Sequence, residues 1–307
     1  MPGQRSLQVH RGEVLTARQR VWRVIGASLP GALWLGLFFF VPLLLIVGAS
    51  FLSRGEYGTI EEPWTVENYQ RLAGHGALGF HPVYHLILLR SLALGLGTAL
   101  LCVFAALPLA FFIASLKPRW KTLALTLVII PFWTNLLIRT YAWQILLAPE
   151  GWLSRAAAAL GIIGADEGLY PGAFAVYACM VCDYLPFMVL PLYASVEKLD
   201  WTIAEAAMDL GANRWNVFRH AVLPQIKPGL VAGAILVFLP ATGQFVIPDL
   251  MGGAKTALLG NAIQQQFQSS LDWPFGSAIA VVSLGVVMAG LWLLARRAGD
   301  KEEAEFL

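Results

Sequence analysis

Residues 205–211 read Glu-Ala-Ala-Met-Asp-Leu-Gly, and Pro224 follows Gly211 thirteen positions later in Val-Leu-Pro. These residues belong to a stretch, residues 200–227, that is the most polar part of the second half of the chain. Strongly hydrophobic segments precede and follow it. The sequence therefore predicts a projection, outside the hydrophobic segments, that a soluble partner can grip.

Two short helices are predicted within this stretch. The apolar residues of 204–211 recur at helical spacing, and Gly211 can end that helix because glycine adopts left-handed conformations at little cost. Asn213 also favours a turn. A second helix is predicted over residues 214–222. Its apolar stripe consists of Trp215, Phe218 and Val222.

The spacing resembles the Glu-Ala-Ala loop of ABC importer permeases, in which Glu-Ala-Ala is followed by three residues, Gly, nine residues and Ile-x-Leu-Pro. Ala221 stands at the Ile position, whereas the other motif residues match. Alone, Glu-Ala-Ala fits any amphipathic loop helix, but its spacing and location favour the resemblance. The resemblance implies a loop that docks into a cleft of an ATPase subunit and transmits its closure to the membrane. The residues expected in this coupling role are Glu205, Ala206, Ala207, Asp209, Gly211, Arg214, Trp215, Phe218, Arg219, Leu223 and Pro224.

The composition is that of a membrane protein. Hydrophobic residues make up 58% of the 307, charged residues only 13%, and the mean hydropathy is +0.66. The net charge of +2 is too small to suggest a nucleic-acid partner. The three cysteines lie in apolar segments, so no disulfide framework is expected. Cys179-x-x-Cys182 could be a metal or redox pair, but without further ligands we expect buried, inert thiols.

A membrane-spanning helix needs about 20 apolar residues, and six stretches meet this requirement. They are approximately residues 29–52, 86–116, 123–147, 173–196, 230–250 and 278–295. We therefore predict an all-α polytopic membrane protein with one transmembrane domain over residues 29–297. Residues 1–28 and 298–307 are expected to be its N-terminal and C-terminal segments.

The lysines and arginines orient this domain. Fifteen of them fall on one side of the predicted bundle, together with both termini and residues 200–227. They are Arg5, Arg11, Arg18, Arg20, Arg23, Lys117, Arg119, Lys121, Lys198, Arg214, Arg219, Lys227, Arg296, Arg297 and Lys301. The opposite loops hold only Arg54, Arg71, Arg155 and Lys255. Positive charge marks the cytoplasmic side, so both termini and the loop are predicted to be cytoplasmic.

Three ionisable residues lie within the predicted spans, where such groups are costly and often functional. Asp183 lies near the middle of the fourth span, and Arg139 is placed nearer the outer end of the third. Asp249 lies at the outer end of the fifth span. Arg139 is expected to pair with one of the aspartates, although its greater height suggests that a water bridges it to Asp183. Asp183 itself is predicted to serve a translocation pathway. The full set of pathway candidates is Asp183, Tyr184, Trp133, Asn135, Tyr141, Gln244, Phe245 and Asp249.

The segments around these residues carry a narrower resemblance. Residues 130–143, Ile-Pro-Phe-Trp-Thr-Asn-Leu-Leu-Ile-Arg-Thr-Tyr-Ala-Trp, resemble the third-helix signature of spermidine/putrescine permeases. Residues 245–253, Phe-Val-Ile-Pro-Asp-Leu-Met-Gly-Gly, then Gly260-Asn261 and residues 272–276, Asp-Trp-Pro-Phe-Gly, are similar to later segments of the same subfamily. The similarity covers roughly residues 29–297. Relatives of this kind are also associated with ferric iron, opines and other small organic solutes.

The resemblance implies an inner-membrane permease of a bacterial ABC importer with the type I permease fold, carrying polyamines. It implies a second homologous permease, two ATP-binding subunits and a periplasmic solute-binding protein as partners. ATP and Mg would be bound by the ATPase partner, and this chain is expected to be no enzyme and to hold no cofactor or metal. An importer of another small solute (an opine, ferric iron or an amino-acid-like compound) remains an alternative. An ion-coupled carrier is a second one, although no inverted hydropathy repeat supports it.

Overall fold

A computed structural model of the chain describes residues 26, 28–55, 58–76, 79–80, 82–164, 167–253 and 258–305, with only the backbone given for 76, 79, 80 and 293–305. The helices are α1 (Ser28–Ala49), α2 (Glu67–Leu72), α3 (Val83–Ser115), α4 (Pro118–Ile129), α5 (Leu136–Leu147), α6 (Trp152–Ala159), α7 (Ala173–Val196), α8 (Trp201–Asp209), α9 (Arg214–Gly243), α10 (Val246–Met251), α11 (Leu259–Gln268) and α12 (Trp273–Glu305). Two short antiparallel hairpins pair β1 (Ser53–Arg54) with β2 (Ile60–Glu61) and β3 (His75–Gly76) with β4 (Gly79–Phe80).

Five helices in the described ranges are long and apolar enough to cross a membrane: α1, α3, α7, α9 and α12. A sixth crossing would be the broken pair formed by α4 and α5 with the segments that extend them. The all-α, polytopic prediction is therefore confirmed. The N-terminal arginines lie outside the described residues. At the other end α12 runs without interruption to Glu305, so residues 298–305 continue the last helix.

The third predicted span is broken into two helices rather than formed by one continuous helix. After α4 the chain forms one turn of 3-10 helix over Ile130–Trp133, becomes extended at Thr134, and starts α5 at Leu136. The two halves are bent by 98°. Pro131 lacks the N–H that a continuous helix requires. Asn135 caps the new helix, because its Oδ1 accepts a hydrogen bond from the Leu137 N–H at 2.8 Å.

The fifth predicted span is shifted. The second loop helix does not end before the membrane: it continues through a π-helical turn, Phe218–Val222, into one helix that reaches Gly243. The helix then breaks at Gln244, and Asp249 lies on the separate short helix α10 rather than at the end of the span. The shift arises because hydropathy detects only the apolar part of a helix, whereas this helix begins in polar turns that precede its apolar part.

The centre of the bundle is α7, which packs against α3 and α9. Glycines allow the closest approach: a Cβ at Gly229 of α9 would collide with the Ser195 side chain and the Pro191 carbonyl, and one at Gly233 would collide with Met188. The core side chains of α7 are fully buried. They include Cys179, Met180, Met188, Val189 and Leu192. The expectation of buried thiols at Cys179 and Cys182 holds for Cys179 but was wrong for Cys182, which is exposed.

Salt bridges join the helices at both ends of the bundle. At the end beside the loop, Lys121 Nζ lies 2.9 Å from Glu197 Oε1. This hydrogen bond from Lys121 lowers the pKa of Glu197. At the opposite end, Arg71 pairs with the buried Asp272 at 3.1 Å and lies over the ring of Phe275. Asp272 also caps α12 by accepting the Phe275 N–H.

Candidate functional site

The loop at residues 200–227, called the coupling loop below, terminates its helices by its own hydrogen bonds. Asp200 caps α8 by accepting bonds from the Thr202 hydroxyl at 2.7 Å and the Thr202 N–H at 3.0 Å. These bonds lower the pKa of Asp200. Asn213 caps α9 by accepting from the Asn216 N–H at 2.8 Å. The orphan N–H groups at the start of both helices are thus partly satisfied within the loop.

Gly211 makes the turn between the two helices, as predicted. Its φ is +85°, a left-handed conformation that side chains with a Cβ rarely adopt. The Gly211 N–H donates to the Met208 carbonyl at 2.9 Å, and the Ala212 N–H donates to the Ala207 carbonyl at 3.0 Å. This bond pair is the Schellman arrangement that ends helices. No neighbouring atom lies within 4 Å of a Cβ built there, so the backbone angle alone demands glycine.

Gln225 joins the two ends of the coupling loop. Its Oε1 accepts from the Asp200 N–H at 2.9 Å, while its Nε2 donates to the Ala221 carbonyl at 2.8 Å. The sequence analysis missed this residue. The sequence shows only a single glutamine between Pro224 and an apolar segment. Nothing in it indicates that this side chain bonds Asp200, 25 residues earlier.

The exposed surface of the coupling loop combines large apolar side chains with unpaired charges. Leu210 is 89% exposed and Trp215 is 65% exposed, with the Trp215 ring stacked on Phe218. Of the predicted apolar stripe, Val222 is buried and Trp215 is exposed, and Val217, outside that stripe, is also buried. Several charged residues are exposed and form no ion pair with the described residues. They are Glu205, Asp209, Arg214 and Arg219.

The remaining predicted coupling residues divide into exposed and half-buried ones. Ala206 and Pro224 are exposed, whereas Ala207, Phe218 and Leu223 are half-buried. Ala207, Phe218 and Leu223 pack against the hydrophobic core. An exposed apolar projection rooted in the core, with unpaired charges around it, has the chemistry of a protein-docking surface.

Inside the bundle, Arg139 and Asp183 form a direct ion pair between Arg139 Nε and Asp183 Oδ1. The expected pairing is therefore confirmed, and the expectation of a bridging water was wrong. The reason is the bend before α5, because a residue on a bent segment does not rise toward the outer surface as it would along a straight helix. Arg139 also donates to the Pro131 carbonyl across the bend. Asp183 is only 4% exposed, whereas Arg139 is half-buried.

Gln244 stabilises the second break. Its Oε1 accepts the N–H groups of Phe245 at 3.0 Å and Val246 at 3.2 Å, which caps α10. Its Nε2 donates to the Tyr184 hydroxyl at 3.2 Å. Tyr184 follows Asp183 on α7, so both broken spans are fixed to the middle of the same helix. Arg139, Asp183, Tyr184 and Gln244 are called the intramembrane cluster below.

The other pathway candidates do not join this cluster. Trp133 is 79% exposed and Tyr141 is 50% exposed, and Asn135 and Asp249 are also exposed. Phe245 is half-buried at the break. Tyr184 is nearly buried, so in this conformation its ring is not an open cation–π surface. The candidates thus divide into a buried, internally bonded group and a group on the surface of the chain.

A further residue missed from the sequence is Gln144 on α5. Its Nε2 donates to the Leu250 carbonyl at 2.8 Å and lies 3.4 Å from the Tyr170 hydroxyl. This contact ties the segment after the first break to the segment after the second. Its signal was the presence of an amide in an apolar stretch.

No three histidine, cysteine, aspartate or glutamate side chains of the described residues come together as a metal-binding group. His85 is exposed, and His81 lies outside the described residues.

Comparison with known proteins gives a consistent result. A profile of the family described as binding-protein-dependent transport system inner membrane component matches residues 106–297. The spermidine/putrescine transport system permease protein PotB of Escherichia coli (strain K12) is 41% identical over 275 residues, which cover 89% of this chain and 98% of PotB. PotB of Salmonella typhimurium (strain LT2) is 44% identical over 261 residues, covering 85% of this chain and 88% of that protein.

A solved structure shares the fold at low sequence identity. It is a bacterial alginate ABC transporter in complex with an alginate pentasaccharide-bound periplasmic protein. The TM-score is 0.61 at 16% identity, and the match covers 88% of this chain and 92% of that one. The extent of these matches shows that the chain belongs to the family of inner membrane components of binding-protein-dependent transport systems.

Proposed function

We propose that this chain is the permease subunit of an ATP-driven importer of polyamines such as spermidine and putrescine. The observation that carries this proposal is identity of 41% to PotB of E. coli over nearly the whole of both chains. A linear di- or polyammonium cargo also suits the exposed acidic and aromatic side chains beside the two helix breaks, because such cations bind carboxylates and aromatic faces. Those side chains are Trp133, Tyr141 and Asp249.

The proposal includes the partners. A second homologous permease would complete the pathway, a periplasmic protein would deliver the cargo, and two ATP-binding subunits would dock on the coupling loops of the two permeases. ATP and Mg would be held by those subunits, and this chain would contribute no nucleotide site. Exposed Trp215 and Leu210 support a docking role for the loop. Closure of the ATPase pair would then push the coupling loops together and switch the cavity between outward and inward access.

Within the pathway, we assign Asp183 the role of a carboxylate that the cargo reaches only after a conformational change. In the present conformation Arg139 neutralises it. An ammonium group of the cargo would take the place of Arg139 as the helix breaks rearrange. The attraction has to be transient, since a cargo held too firmly would not be released.

Uptake by the reconstituted transporter tests the cargo. Proteoliposomes containing this chain and its co-expressed partners are expected to import labelled spermidine or putrescine with ATP. An opine and ferric iron, with the periplasmic protein of the same system, are the competing cargoes. Uptake of one of those and none of the polyamines would overturn the cargo assignment. Transport without any ATP-hydrolysing subunit would favour an ion-coupled carrier instead.

Reporter fusions test the proposed orientation, with both termini and the coupling loop in the cytoplasm. A reporter active only in the periplasm is expected to be active after Gly58 or Gly168 and silent after Lys117 or Lys198. Lysine and arginine bias predicts this result from the sequence. Activity after Lys198 would place the coupling loop outside and contradict the whole proposal.

A further inference from the structure

Arg90 is a second arginine within a membrane-spanning helix, far along the chain from the intramembrane cluster. It lies on α3, is exposed, and forms no hydrogen bond or ion pair with the described residues. A cation in such a position requires a counter-charge or access to water. The proposed polyamine transport gives it no role, because a fixed cation repels a cationic cargo.

The depth of Arg90 follows from the length of its helix. The 33 residues of α3 span about 50 Å, whereas the hydrocarbon layer is about 30 Å thick, so about 10 Å project at each end of a centred helix. Arg90 is seven residues from Val83, a rise of roughly 10 Å. The Val83 end is opposite the coupling loop, because Lys121, just beyond the other end, pairs with Glu197 near the start of the loop. Arg90 therefore lies at the headgroup boundary of the leaflet away from the loop.

A pocket of about 280 Å³ adjoins Arg90 between α3, α7 and α10. Its walls include Ala93 and Leu94, one turn further along α3, and Val176 and Pro248 on the facing helices. These side chains are apolar. The pocket thus places a guanidinium beside an apolar surface at the depth where lipid phosphates meet acyl chains.

A second donor lines the same pocket. Tyr177 on α7 is half-buried, and its hydroxyl makes no hydrogen bond within the described part of the chain. A Cβ at Gly97 would lie 2.9 Å from that hydroxyl, so the hydroxyl rests against the face of α3 that carries Arg90. Gly97 lies about 10 Å deeper than Arg90 along the helix. The pocket therefore extends below Arg90 to the depth of the acyl chains, so a ligand that binds Arg90 through a phosphate and also fills the pocket needs an apolar tail.

We propose that this pocket binds a phospholipid of the leaflet away from the coupling loop. The Arg90 guanidinium binds the lipid phosphate through charge-assisted hydrogen bonds. The apolar wall at Ala93 and Leu94 packs against the upper part of an acyl chain, and the deeper part of that chain lies beside the Tyr177 ring. The proposal depends on membrane insertion and is independent of the cargo.

Native mass spectrometry of the assembled transporter tests the site. The complex is purified in detergent, delipidated, and titrated with short-chain phosphatidylglycerol. Arg90→Gln is expected to weaken lipid binding at least about tenfold, because it removes a charged hydrogen-bond donor. Tyr177→Phe, which keeps the ring beside the acyl chain, is expected to bind the lipid nearly as well as the wild type. Arg155→Gln, which removes an exposed arginine on α6, is the matched control and is expected to bind like the wild type.

Two further arms separate the alternatives. Ala93→Trp keeps Arg90 but fills the apolar wall, so it should weaken lipid binding while leaving the complex assembled. Inorganic phosphate is not expected to compete with the lipid; competition, with unchanged binding to Ala93→Trp, would mean a free-phosphate site and overturn the lipid assignment. Unchanged lipid binding by Arg90→Gln would overturn it as well. Loss of a neighbouring subunit in place of lipid would show that Arg90 pairs with that subunit, again contradicting the proposal.

Discussion

Among the described residues, the charged side chains are paired in the intramembrane cluster and unpaired in the coupling loop. In the cluster, Arg139 pairs with Asp183 and no large polar surface is left open. In the loop, Asp200 and Asn213 cap the two helices. The charged side chains of the loop nevertheless form no ion pair with the described residues, and Trp215 is exposed. The charged groups of the cluster thus have partners within the chain, whereas in the loop only the backbone groups do. Stability should depend on the first region, and association should depend on the second.

The largest effect is expected from breaking the ion pair. Arg139→Gln leaves the Asp183 carboxylate buried without a partner, which typically costs about 3–5 kcal/mol. We expect a lower amount of protein in the membrane and a lower thermal unfolding temperature in detergent. The double variant Arg139→Gln/Asp183→Asn should recover most of both, because neither charge remains. A single variant as stable as the wild type would show that the pair adds nothing to stability.

Uptake by the same double variant distinguishes a structural role of Asp183 from a role in transport. If Asp183 only pairs with Arg139, recovered protein should bring recovered uptake. If Asp183 serves the cargo, as proposed, the double variant should be stable and deficient in polyamine uptake at equal protein amount. Wild-type uptake by this variant would contradict the pathway role and leave the structural one.

The next largest effect is expected in association. Trp215→Ala removes an exposed aromatic side chain of the kind that dominates protein interfaces, where losses of about 2 kcal/mol or more are common. The affinity for the ATPase subunit should fall at least about 30-fold, while the unfolding temperature stays unchanged. Trp152→Ala, which removes an exposed tryptophan from α6, is the control. Equal ATPase binding by both variants would remove Trp215 from the docking surface.

A smaller effect is expected at the turn of the coupling loop. Gly211→Val forces a β-branched residue into a left-handed conformation, at about 1–3 kcal/mol. We expect the two loop helices to reorient, so that uptake per ATP hydrolysed falls while the bundle remains folded. Gly211→Asn is the matched variant, since asparagine tolerates this conformation, and it should retain most of the coupling. The result to watch for is normal uptake by Gly211→Val at normal membrane level, which would exclude a specific role for the turn.

The smallest effect is expected at the exposed pair of Lys121 and Glu197. The lowered pKa of Glu197 means that the pair contributes above the ordinary carboxyl range and loses its contribution as pH falls through the lowered value. Lys121→Met should therefore lower the unfolding temperature slightly at pH 7. At a pH below that pKa the wild type and the variant should converge. A difference that persists at low pH would point to packing of the lysine stem rather than to charge.

Much of the fold could be predicted because hydropathy and glycine chemistry are local properties. The fourth span was predicted at the observed residues, and the turn at Gly211 follows from its own backbone freedom. The direction in which the chain continues after a helix break is not a local property. Pro131 and Asn135 were visible signals of a break, but only the packed structure gives a bend of 98°. Counting along a straight helix then misplaced Arg139 relative to Asp183.

The two helices and the turn of the coupling loop could be predicted from the sequence, whereas contacts made by a side chain at long range were missed. Residues 205–224 form a continuous pattern, so their spacing and location mark the loop, and its coupling role stays a prediction. Gln225 and Gln144 act on backbone groups far away in sequence, Asp200 and Leu250 respectively. A single glutamine in the sequence does not indicate which distant backbone group it will bond, so only the folded structure reveals these contacts.

The continuity of α9 has a mechanical consequence. One helix runs from Arg214, in the exposed loop, to Gly243, beside the break that Gln244 caps against Tyr184. Its 30 residues measure about 45 Å, so a tilt of roughly 5° at one end displaces the other by about 4 Å. Such a rod acts as a lever: a movement imposed on its exposed end in the coupling loop would be carried to the end beside Gln244 and Tyr184. The π-helical turn at Phe218–Val222 lies near the loop end of this helix, and such turns are frequent at functional sites.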